Sequence, residues 1–262
     1  MESNEQTNIN YMKYITLFLL LSVLFYGFTQ VNAQNMAVTA SSHFVNELPI
    51  YCVDTDKPVL ALTFDSAWGD EDLEEILGIL KKHNVPATFF VTGEWVDKYP
   101  EAIKLIDAHG HEVANHGNSH KHMPQISKEE MIQEIQTCHD KVYALIEKDM
   151  TSFRAPYSDW DDNVVAVTQS LGYSAINHSV DSLDWKDYGV ESIIQTVCEH
   201  KNLENGSILL LHNGATYTKD ALDVMLTNLK EQGFSFVTVS ELVYTENYSL
   251  DHTGKQFLNK KE

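Results

Sequence analysis

The sequence VLALTFDS, which runs from Val59 to Ser66, joins an unbroken apolar run to a carboxylate and a hydroxyl. A short apolar run of this kind is typical of a buried β-strand. A carboxylate at the end of such a strand, here Asp65, has no packing role. The pattern therefore predicts a buried strand that presents Asp65 to a functional site.

The same unit, an apolar strand followed by an amphipathic helix, repeats along the chain. The predicted strands are Val59–Asp65, Ala87–Thr92, Glu112–Asn115, Ser152–Arg154, Tyr173–Ser179, Ile208–Leu211 and Phe234–Val239. Alternating strands and helices predict an α/β fold with parallel strands and helical crossovers. Seven strands and six helices favour a barrel over an open sheet, although periodicity alone does not decide closure.

Five of these strands end on or next to polar side chains. They are Asp65, His116, Arg154, Asp181 and His212. In either a barrel or an open parallel sheet, ligands bind at the carboxyl ends of the strands. The convergence of five polar groups at that edge predicts an enzyme active site.

Two histidines of this set have metal-ligand spacing. His116 and His120 are separated by three residues, which places both imidazoles on one side of a helix or a tight loop. This arrangement suits a divalent metal such as zinc. Chance pairs are expected in a chain with twelve histidines, and we interpret His111 and His122 as bystanders.

The remaining polar ends form two candidate pairs. Asp65 could be a metal ligand, a general base or half of a buried ion pair, and Arg154 is its predicted partner because a guanidinium keeps a carboxylate ionised. His212 follows three leucines and is suited to acid–base chemistry near neutral pH, with a satisfied core histidine as the alternative. Asp181 is predicted to orient His212, as the carboxylate does in an Asp–His pair.

Composition limits the class of protein. The chain has 262 residues, 43% of them hydrophobic, and a formal charge of -20, which together predict a folded acidic domain rather than disorder. An acidic surface argues against nucleic acid and anionic membranes as partners. The three cysteines, Cys52, Cys138 and Cys198, lack metal-ligand spacing, so buried thiols are expected, with one disulfide as the alternative.

The N-terminal segment has the pattern of a secretory signal peptide. Lys13 precedes the apolar run from Ile15 to Phe28, and Val31-Asn32-Ala33 is a small-residue cleavage signal. The run is short for a transmembrane helix, so an uncleaved anchor is the less favoured alternative. We expect a secreted or cell-surface protein, cleaved after Ala33, that contacts the membrane only through its signal peptide.

At this point the motifs resemble those of the polysaccharide deacetylase family, the NodB-homology domain of chitin and peptidoglycan deacetylases. The resemblance covers roughly residues 57 to 243, and all five family motifs occur in order. They are Thr63-Phe64-Asp65-Ser66, His116 to His120, Arg154-Ala155-Pro156-Tyr157, Asp181-Ser182-Leu183-Asp184-Trp185 and Leu210-Leu211-His212.

The resemblance implies a distorted (β/α) barrel and metal-dependent hydrolysis of an N-acetyl group on a sugar polymer. It implies that Asp65 is the general base, held by Arg154, and that His212 is the general acid, tuned by Asp181. His116 and His120 would be metal ligands. The backbone N–H of Tyr157 would help to bind the oxyanion, and Trp185 and Leu210 would line the pocket for the acetyl methyl group.

One position departs from the family pattern. The residue after the first aspartate is usually a second aspartate and the third metal ligand, but here it is Ser66, and a neutral hydroxyl is a poor zinc ligand. Three outcomes are open. The two histidines bind the metal weakly with water, a carboxylate among residues 70–72 substitutes, or metal and activity are lost. We favour an active enzyme with zinc, or cobalt or nickel, because the base, the acid and their partners are all retained.

The resulting hypothesis is a secreted metal-dependent hydrolase of an N-acetylated glycan built from N-acetylglucosamine or N-acetylmuramic acid, with peptidoglycan favoured. The alternatives are an acetyl-ester deacetylase acting on xylan and a non-catalytic glycan-binding relative with an impaired metal site. The predicted organisation is a signal peptide (1–33), a linker or N-terminal arm (34–56), a catalytic domain (57–246) and a solvated tail (247–262). A monomer is expected.

Overall fold

The computed structural model describes residues 48–259. Strand β2, Val59–Ser66, is buried from Leu60 onward. Leu60, Leu62 and Phe64 pack in the larger apolar cluster, whereas Ala61 packs with Phe90 in the smaller one. Because successive side chains of a strand point to opposite faces, both faces of β2 are covered, in agreement with its continuous apolar run.

Strand β2 lies within a sheet whose pairings are all parallel. The other strands of this sheet are β3 (Thr88–Val91), β4 (Glu112–Asn115), β5 (Ser152–Phe153), β6 (Ser174–Ala175), β7 (Val180–Asp181), β8 (Ile208–His212) and β9 (Ser235–Val237). The order of the strands is β6-β5-β4-β3-β2-β8-β7, and β9 pairs with the first residues of β2. The predicted α/β fold, a distorted barrel with about seven parallel strands, is confirmed.

The chain itself shows that this sheet is curled. Strands β6 and β7 lie at opposite ends of the strand order, yet only residues 176–179 separate them. That segment spans at most roughly 18 Å, so the two ends of the sheet must approach each other. A single strand was predicted over Tyr173–Ser179. The structure interrupts it at Asn177, whose N–H donates to Ile50 O and whose carbonyl accepts from Arg154.

Helices cover the sheet in the crossover positions. They are α1 (Leu73–His83), α2 (Gly93–Lys98), α3 (Pro100–Ala108), α4 (Lys128–Ile146), α5 (Asp162–Ser170), α6 (Val190–Cys198), α7 (Thr218–Glu231) and α8 (Val239–Leu242). Helix α4 begins with a capping box in which Ser127 and Glu130 each bond to the other's backbone N–H. This cap fixes where α4 starts. Helix α4 in turn contacts residues 116–120, here called the histidine loop.

The segment predicted as a solvated tail contains regular structure. Residues Tyr248–Leu250 (β10) and Lys255–Leu258 (β11) form a hairpin, and β11 pairs in parallel with Cys52–Val53 (β1). Gln256 is fully buried there and bonds to the backbone of Tyr244. The alternation of polar and apolar residues in this short segment was too weak a signal to predict a strand.

The structure also bears on the predictions for the cysteines and for membrane-spanning helices. All three cysteines are free thiols, with Cys52 and Cys138 buried, as expected. No helix within residues 48–259 is long and apolar enough to cross a membrane. The predicted signal peptide and most of the predicted N-terminal arm lie outside the described residues.

Candidate active site

Asp65 and Arg154 form a buried ion pair at the carboxyl end of β2. Arg154 Nη1 lies 2.6 Å from Asp65 Oδ1 and also donates to Thr63 Oγ1 at 2.9 Å. The guanidinium is fully buried and stacks over the ring of Phe90, with 4.1 Å to the centroid. Burial alone would raise the pKa of Asp65, but the charge and hydrogen bond of Arg154 and the charge of His212 lower it to about 2. Asp65 is therefore ionised at neutral pH.

His116 faces the same carboxylate. Its Nε2 lies 3.5 Å from Asp65 Oδ2, and its Nδ1 lies 2.8 Å from the carbonyl oxygen of Arg154. Because a carbonyl only accepts, Nδ1 carries the proton and the Nε2 lone pair points toward Asp65. Burial lowers the pKa of His116 despite the opposing charge of Asp65, so the ring is neutral.

His120 lies against His116, with ring centroids 5.1 Å apart in an edge-to-face arrangement. Its φ of 54° places its backbone in the left-handed region, and Gly117 has a φ of 77°. Burial lowers the pKa of His120 to about 4. The predicted pair of neutral imidazoles is therefore formed by a tight loop rather than by a helix.

Glu134 on α4 holds this histidine loop, and the sequence analysis missed it. Its buried carboxylate accepts hydrogen bonds from the N–H of Asn118 at 2.9 Å and from the N–H and hydroxyl of Ser119 at 2.7 and 2.6 Å. The side-chain oxygen of Asn115, the residue before His116, accepts a hydrogen bond from the N–H of Gly117. No spacing rule connects Glu134 to the loop, because the contact depends on how α4 packs.

Substituting Glu134 by Ala is expected to cost about 2–3 kcal/mol of unfolding free energy, because several buried donors lose their acceptor. Urea denaturation measures this cost. The matched control is Glu129→Ala, since Glu129 is exposed on the same helix and should change stability by less than about 0.5 kcal/mol. Equal losses in both variants would contradict a loop-holding role for Glu134.

Tyr157 is held between two histidines. Its ring lies 4.4 Å from that of His120 and stacks on His122 at 4.1 Å, and His122 Nδ1 bonds to Asp159 at 2.8 Å. His122, interpreted as a bystander from the sequence, therefore contacts the site. Tyr157 has a φ of 61°, an unfavourable conformation for a bulky residue and one often found at functional sites. Its role in binding an oxyanion remains a prediction.

His212 is oriented by Asp184 and not, as predicted, by Asp181. Asp184 is fully buried and accepts from His212 Nδ1 at 2.8 Å, from the His212 N–H at 2.7 Å and from Thr218 Oγ1 at 2.7 Å. Asp181 instead accepts the N–H of Leu183 at 2.9 Å. Both acids lie in one motif, and the left-handed turn at Leu183 (φ 56°) brings the second to the histidine.

The protonated form of His212 is favoured by this arrangement. Burial alone would lower the pKa of His212, but the hydrogen bond and charge of Asp184 and the charges of Asp65 and Asp181 raise it above the usual 6.5. The stability that this shift contributes is fully present below pH 6.5. It is lost as the pH rises through the raised pKa.

An Asp184→Asn variant is therefore expected to titrate His212 at a lower pH than the parent chain does. Asparagine keeps the shape of the side chain, but it removes the charge that favours the imidazolium and replaces one of the two accepting oxygens with a donor. The measurement is an NMR titration of the His212 ring. The matched control is Asp181→Asn, which should lower the His212 pKa by less because Asp181 acts on it only through its charge. A larger shift in the control would restore the original prediction for Asp181.

Trp68 and His178 are two further neighbours that the sequence analysis did not assign. The Trp68 indole stacks on His212 with ring centroids 5.0 Å apart and an angle of 16°. Burial and the charge of Arg154 lower the pKa of His178 to about 3, so its imidazole is neutral. The signal for Trp68 was available in the turn that follows Ser66, whereas His178 lies in the segment predicted as one continuous strand.

The two predicted pocket residues differ in exposure. Leu210 is buried in β8, paired with Thr63 of β2 and with Asp181 of β7. Trp185 follows Asp184 directly, is half exposed and lies under the Lys186 ammonium. Both residues lie at the edge of the sheet that carries the polar strand ends, and their contact with an acetyl group remains a prediction.

The predicted metal site lacks a third ligand. Ser66 is fully buried, and its Oγ is without a hydrogen-bond partner in residues 48–259. Asp72, one of the carboxylates considered as a substitute, accepts the Gly214 N–H with both oxygens. Asp70 and Glu71 line a separate acidic cleft against α3. The described residues contain no group of three or more His, Cys, Asp or Glu side chains that could hold a metal ion. The side chains present therefore do not fit a three-ligand zinc centre.

The site nevertheless retains a proton acceptor and a proton donor. Asp65 is held ionised and His212 is favoured in its protonated form, and each contributes to the electrostatic environment of the other. The geometry preserves the acid–base frame, with Asp65 held by Arg154 and His212 held by Asp184.

Comparison with known proteins identifies the family. The model of the polysaccharide deacetylase family matches residues 53–176. The peptidoglycan-N-acetylmuramic acid deacetylase PdaA of Bacillus subtilis is 30% identical over 208 residues, which cover 76% of this chain and 77% of that protein. A peptidoglycan-N-acetylglucosamine deacetylase of Bacillus cereus is 34% identical over 196 residues, which cover 73% of this chain and 91% of that protein.

A solved structure gives the same result for the fold. The wild-type structure of a CE4 family pseudoenzyme from Bacillus anthracis superposes with a TM-score of 0.72 and 32% identity, covering 81% of this chain and 74% of that one. A mutant of that pseudoenzyme with restored enzymatic activity superposes with a TM-score of 0.73. The resemblance inferred from the five motifs is confirmed, and the chain belongs to the polysaccharide deacetylase family of hydrolases.

Proposed function

We propose that this protein removes N-acetyl groups from a glycan of the N-acetylglucosamine or N-acetylmuramic acid type, with peptidoglycan as the favoured polymer. The observation that carries the proposal is the pair of oriented acid–base groups at one edge of the sheet, Asp65 with Arg154 and His212 with Asp184. The two peptidoglycan deacetylases matched above support this polymer class. A secreted or cell-surface location follows from that polymer and from the predicted signal peptide, and a monomer is expected.

The residues of the site have distinct roles in this proposal. Asp65, aimed by Arg154, accepts a proton from the attacking water, and His212, held by Asp184, donates a proton to the leaving amine. An amine leaves as a neutral group only when it is protonated, so the raised pKa of His212 suits the donor role. The backbone N–H of Tyr157 would stabilise the oxyanion, and Leu210 and Trp185 would enclose the methyl group.

We also propose that activity depends on a divalent metal, zinc first and cobalt or nickel as alternatives, bound more weakly than by three protein ligands. His116 and His120 are the ligands available, and Ser66 offers only a neutral hydroxyl. Activity in the parent chain is therefore expected to require added metal. Full activity in a chelated sample with no metal would contradict this part of the proposal.

Acetate release tests the function directly. The substrates are oligomers of N-acetylglucosamine, purified peptidoglycan and acetylated xylan, each with added zinc, cobalt or nickel. We expect release from an N-acetylated glycan and its loss in Asp65→Asn and His212→Asn variants. Release from acetylated xylan alone would favour the acetyl-ester alternative. The ester and amide substrates carry the same acyl group, so only a direct comparison of acetate release separates them.

A second candidate function has its own support. Two features of the described residues favour a non-catalytic glycan-binding protein, namely the unpartnered Ser66 hydroxyl and the lack of a third metal ligand. The similarity to a pseudoenzyme favours it as well. This candidate predicts that the parent chain binds N-acetylated glycan and releases no acetate with any metal. Binding by calorimetry, measured beside acetate release, separates the two candidates.

A further inference from the structure

We infer that the outer face of Trp68 is a stacking subsite for a pyranose ring of the glycan, next to the sugar whose acetamide lies at His212. This inference rests on the proposed glycan ligand and adds a residue that binds its neighbouring sugar. Three features of the structure carry it. They are the exposure of the indole, the coverage of its inner face and the rigidity of its loop.

The indole is exposed where burial would be expected. Trp68 is 45% exposed, although it lies only two residues after the buried end of β2. A tryptophan loses a large apolar contact area when it faces water, so an exposed indole at the rim of a site is typical of a ligand contact. Of the seven large hydrophobic residues that are exposed within residues 48–259, Trp68 is the one that stacks on His212.

The inner face of the indole is already occupied. The His212 ring lies parallel to it, 5.0 Å between centroids, so a sugar cannot stack between them. The solvent-exposed part of the side chain must therefore lie on its outer face and edges. A sugar on that face is displaced from His212 by the thickness of the indole. It cannot be the sugar that receives the proton from His212, and it must be a neighbour along the polymer.

The loop that carries the indole is held in place from two sides. The Gly69 carbonyl accepts from Asn213 Nδ2 at 2.6 Å and from Trp95 Nε1 at 3.1 Å. The backbone of Gly214 lies close to the loop that carries Trp68. A Cβ at position 214 would lie only 3.0 Å from Gly69 N and 3.2 Å from Trp68 Cβ, so a glycine allows this approach. A preordered aromatic ring loses little conformational freedom when it binds a ligand, and this favours affinity.

The readout is how the effect of a Trp68 substitution depends on the length of the sugar oligomer. A merely structural role of Trp68 would weaken binding at every length alike. Isothermal titration would measure binding of the N-acetylglucosamine monomer and of its β-1,4-linked pentamer to the full chain. We expect Trp68→Ala to weaken binding of the pentamer by about three- to tenfold, the usual value of one aromatic contact. Binding of the monomer, which fills only the sugar position at His212, should not change, and Trp68→Phe should retain most of the pentamer affinity.

Tyr143→Ala is the matched control, because Tyr143 is 46% exposed on α4 and stacks on His139 rather than on a site residue. It should bind the pentamer as the parent does. Equal affinity of Trp68→Ala and parent for the pentamer would overturn the inference and leave the proposed function intact. So would an equal loss for monomer and pentamer. A parent chain that binds neither of them would overturn both.

Discussion

Zinc is expected to raise the thermal unfolding temperature of a Ser66→Asp variant by about 5–10 °C, and that of the parent chain far less. A ligand at a hundred times its Kd stabilises a folded protein by about 2.7 kcal/mol, which corresponds to this shift for a domain of this size. The new carboxylate would complete a set with His116 and His120, and the bound zinc should be held at least about tenfold more tightly. Differential scanning calorimetry with and without zinc measures both effects.

The same substitution is expected to destabilise the protein when zinc is absent. Position 66 is fully buried, and the transfer of an unpaired carboxylate from water to the protein interior lowers the free energy of unfolding. The controls are Ser66→Asn, which has the same shape without the charge, and Ser66→Ala, which removes the unpartnered hydroxyl. Neither should respond to zinc. A Ser66→Asp variant that zinc does not stabilise would show that this side chain points away from the histidines.

Removing Arg154 is expected to cause the largest loss of stability of any single change in the site. An Arg154→Met variant should lose about 3–5 kcal/mol of unfolding free energy, because Asp65 would be left as an uncompensated buried charge. The guanidinium also donates to Thr63 and to the carbonyl of Asn177. The midpoint of urea denaturation at neutral pH measures the loss.

A double variant, Asp65→Asn with Arg154→Met, separates the charge from the packing. It should recover part of the loss, because neither charge remains. The pH dependence gives a second check. In the parent, the Asp65 contribution is present above pH 3.8 and is lost as the pH falls through about 2. Without Arg154 the carboxyl protonates at a higher pH, so the difference between parent and Arg154→Met should narrow on acidification. A constant difference would contradict an electrostatic origin.

The sequence was most informative where function depends on strand ends. Asp65, His116 and Arg154 meet because parallel strands bring their carboxyl ends to one edge, a rule that needs no knowledge of loops. The pairing of Asp65 with Arg154 followed from charge alone, and the structure confirms it. The departure at Ser66 was also visible, since a serine in place of a carboxylate changes the donor chemistry directly, but the sequence left open whether a nearby carboxylate substitutes.

The sequence was least informative where a turn or a helix packing decides the contact. Asp181 and Asp184 are three residues apart in one motif, and the left-handed backbone of Leu183 selects the second as the partner of His212. Glu134 reaches the histidine loop only through the packing of α4. Neither spacing nor periodicity describes such contacts, because both depend on backbone dihedrals and on the position of one element against another.

The sheet formed by β1, β10 and β11 has a consequence for how the chain folds. Cys52 pairs with Lys255, so β1 gains its partner in this sheet only after the chain has been synthesised as far as β11. Closing so long a loop costs entropy before any contact repays it, and contacts between distant residues form slowly. The early strands β2, β3 and β4 can pair while the chain is still growing. The three-stranded sheet of β1, β10 and β11 is therefore expected to form last, and a truncation after Glu246 would remove β10 and β11 and leave β1 only its contacts near Ser207.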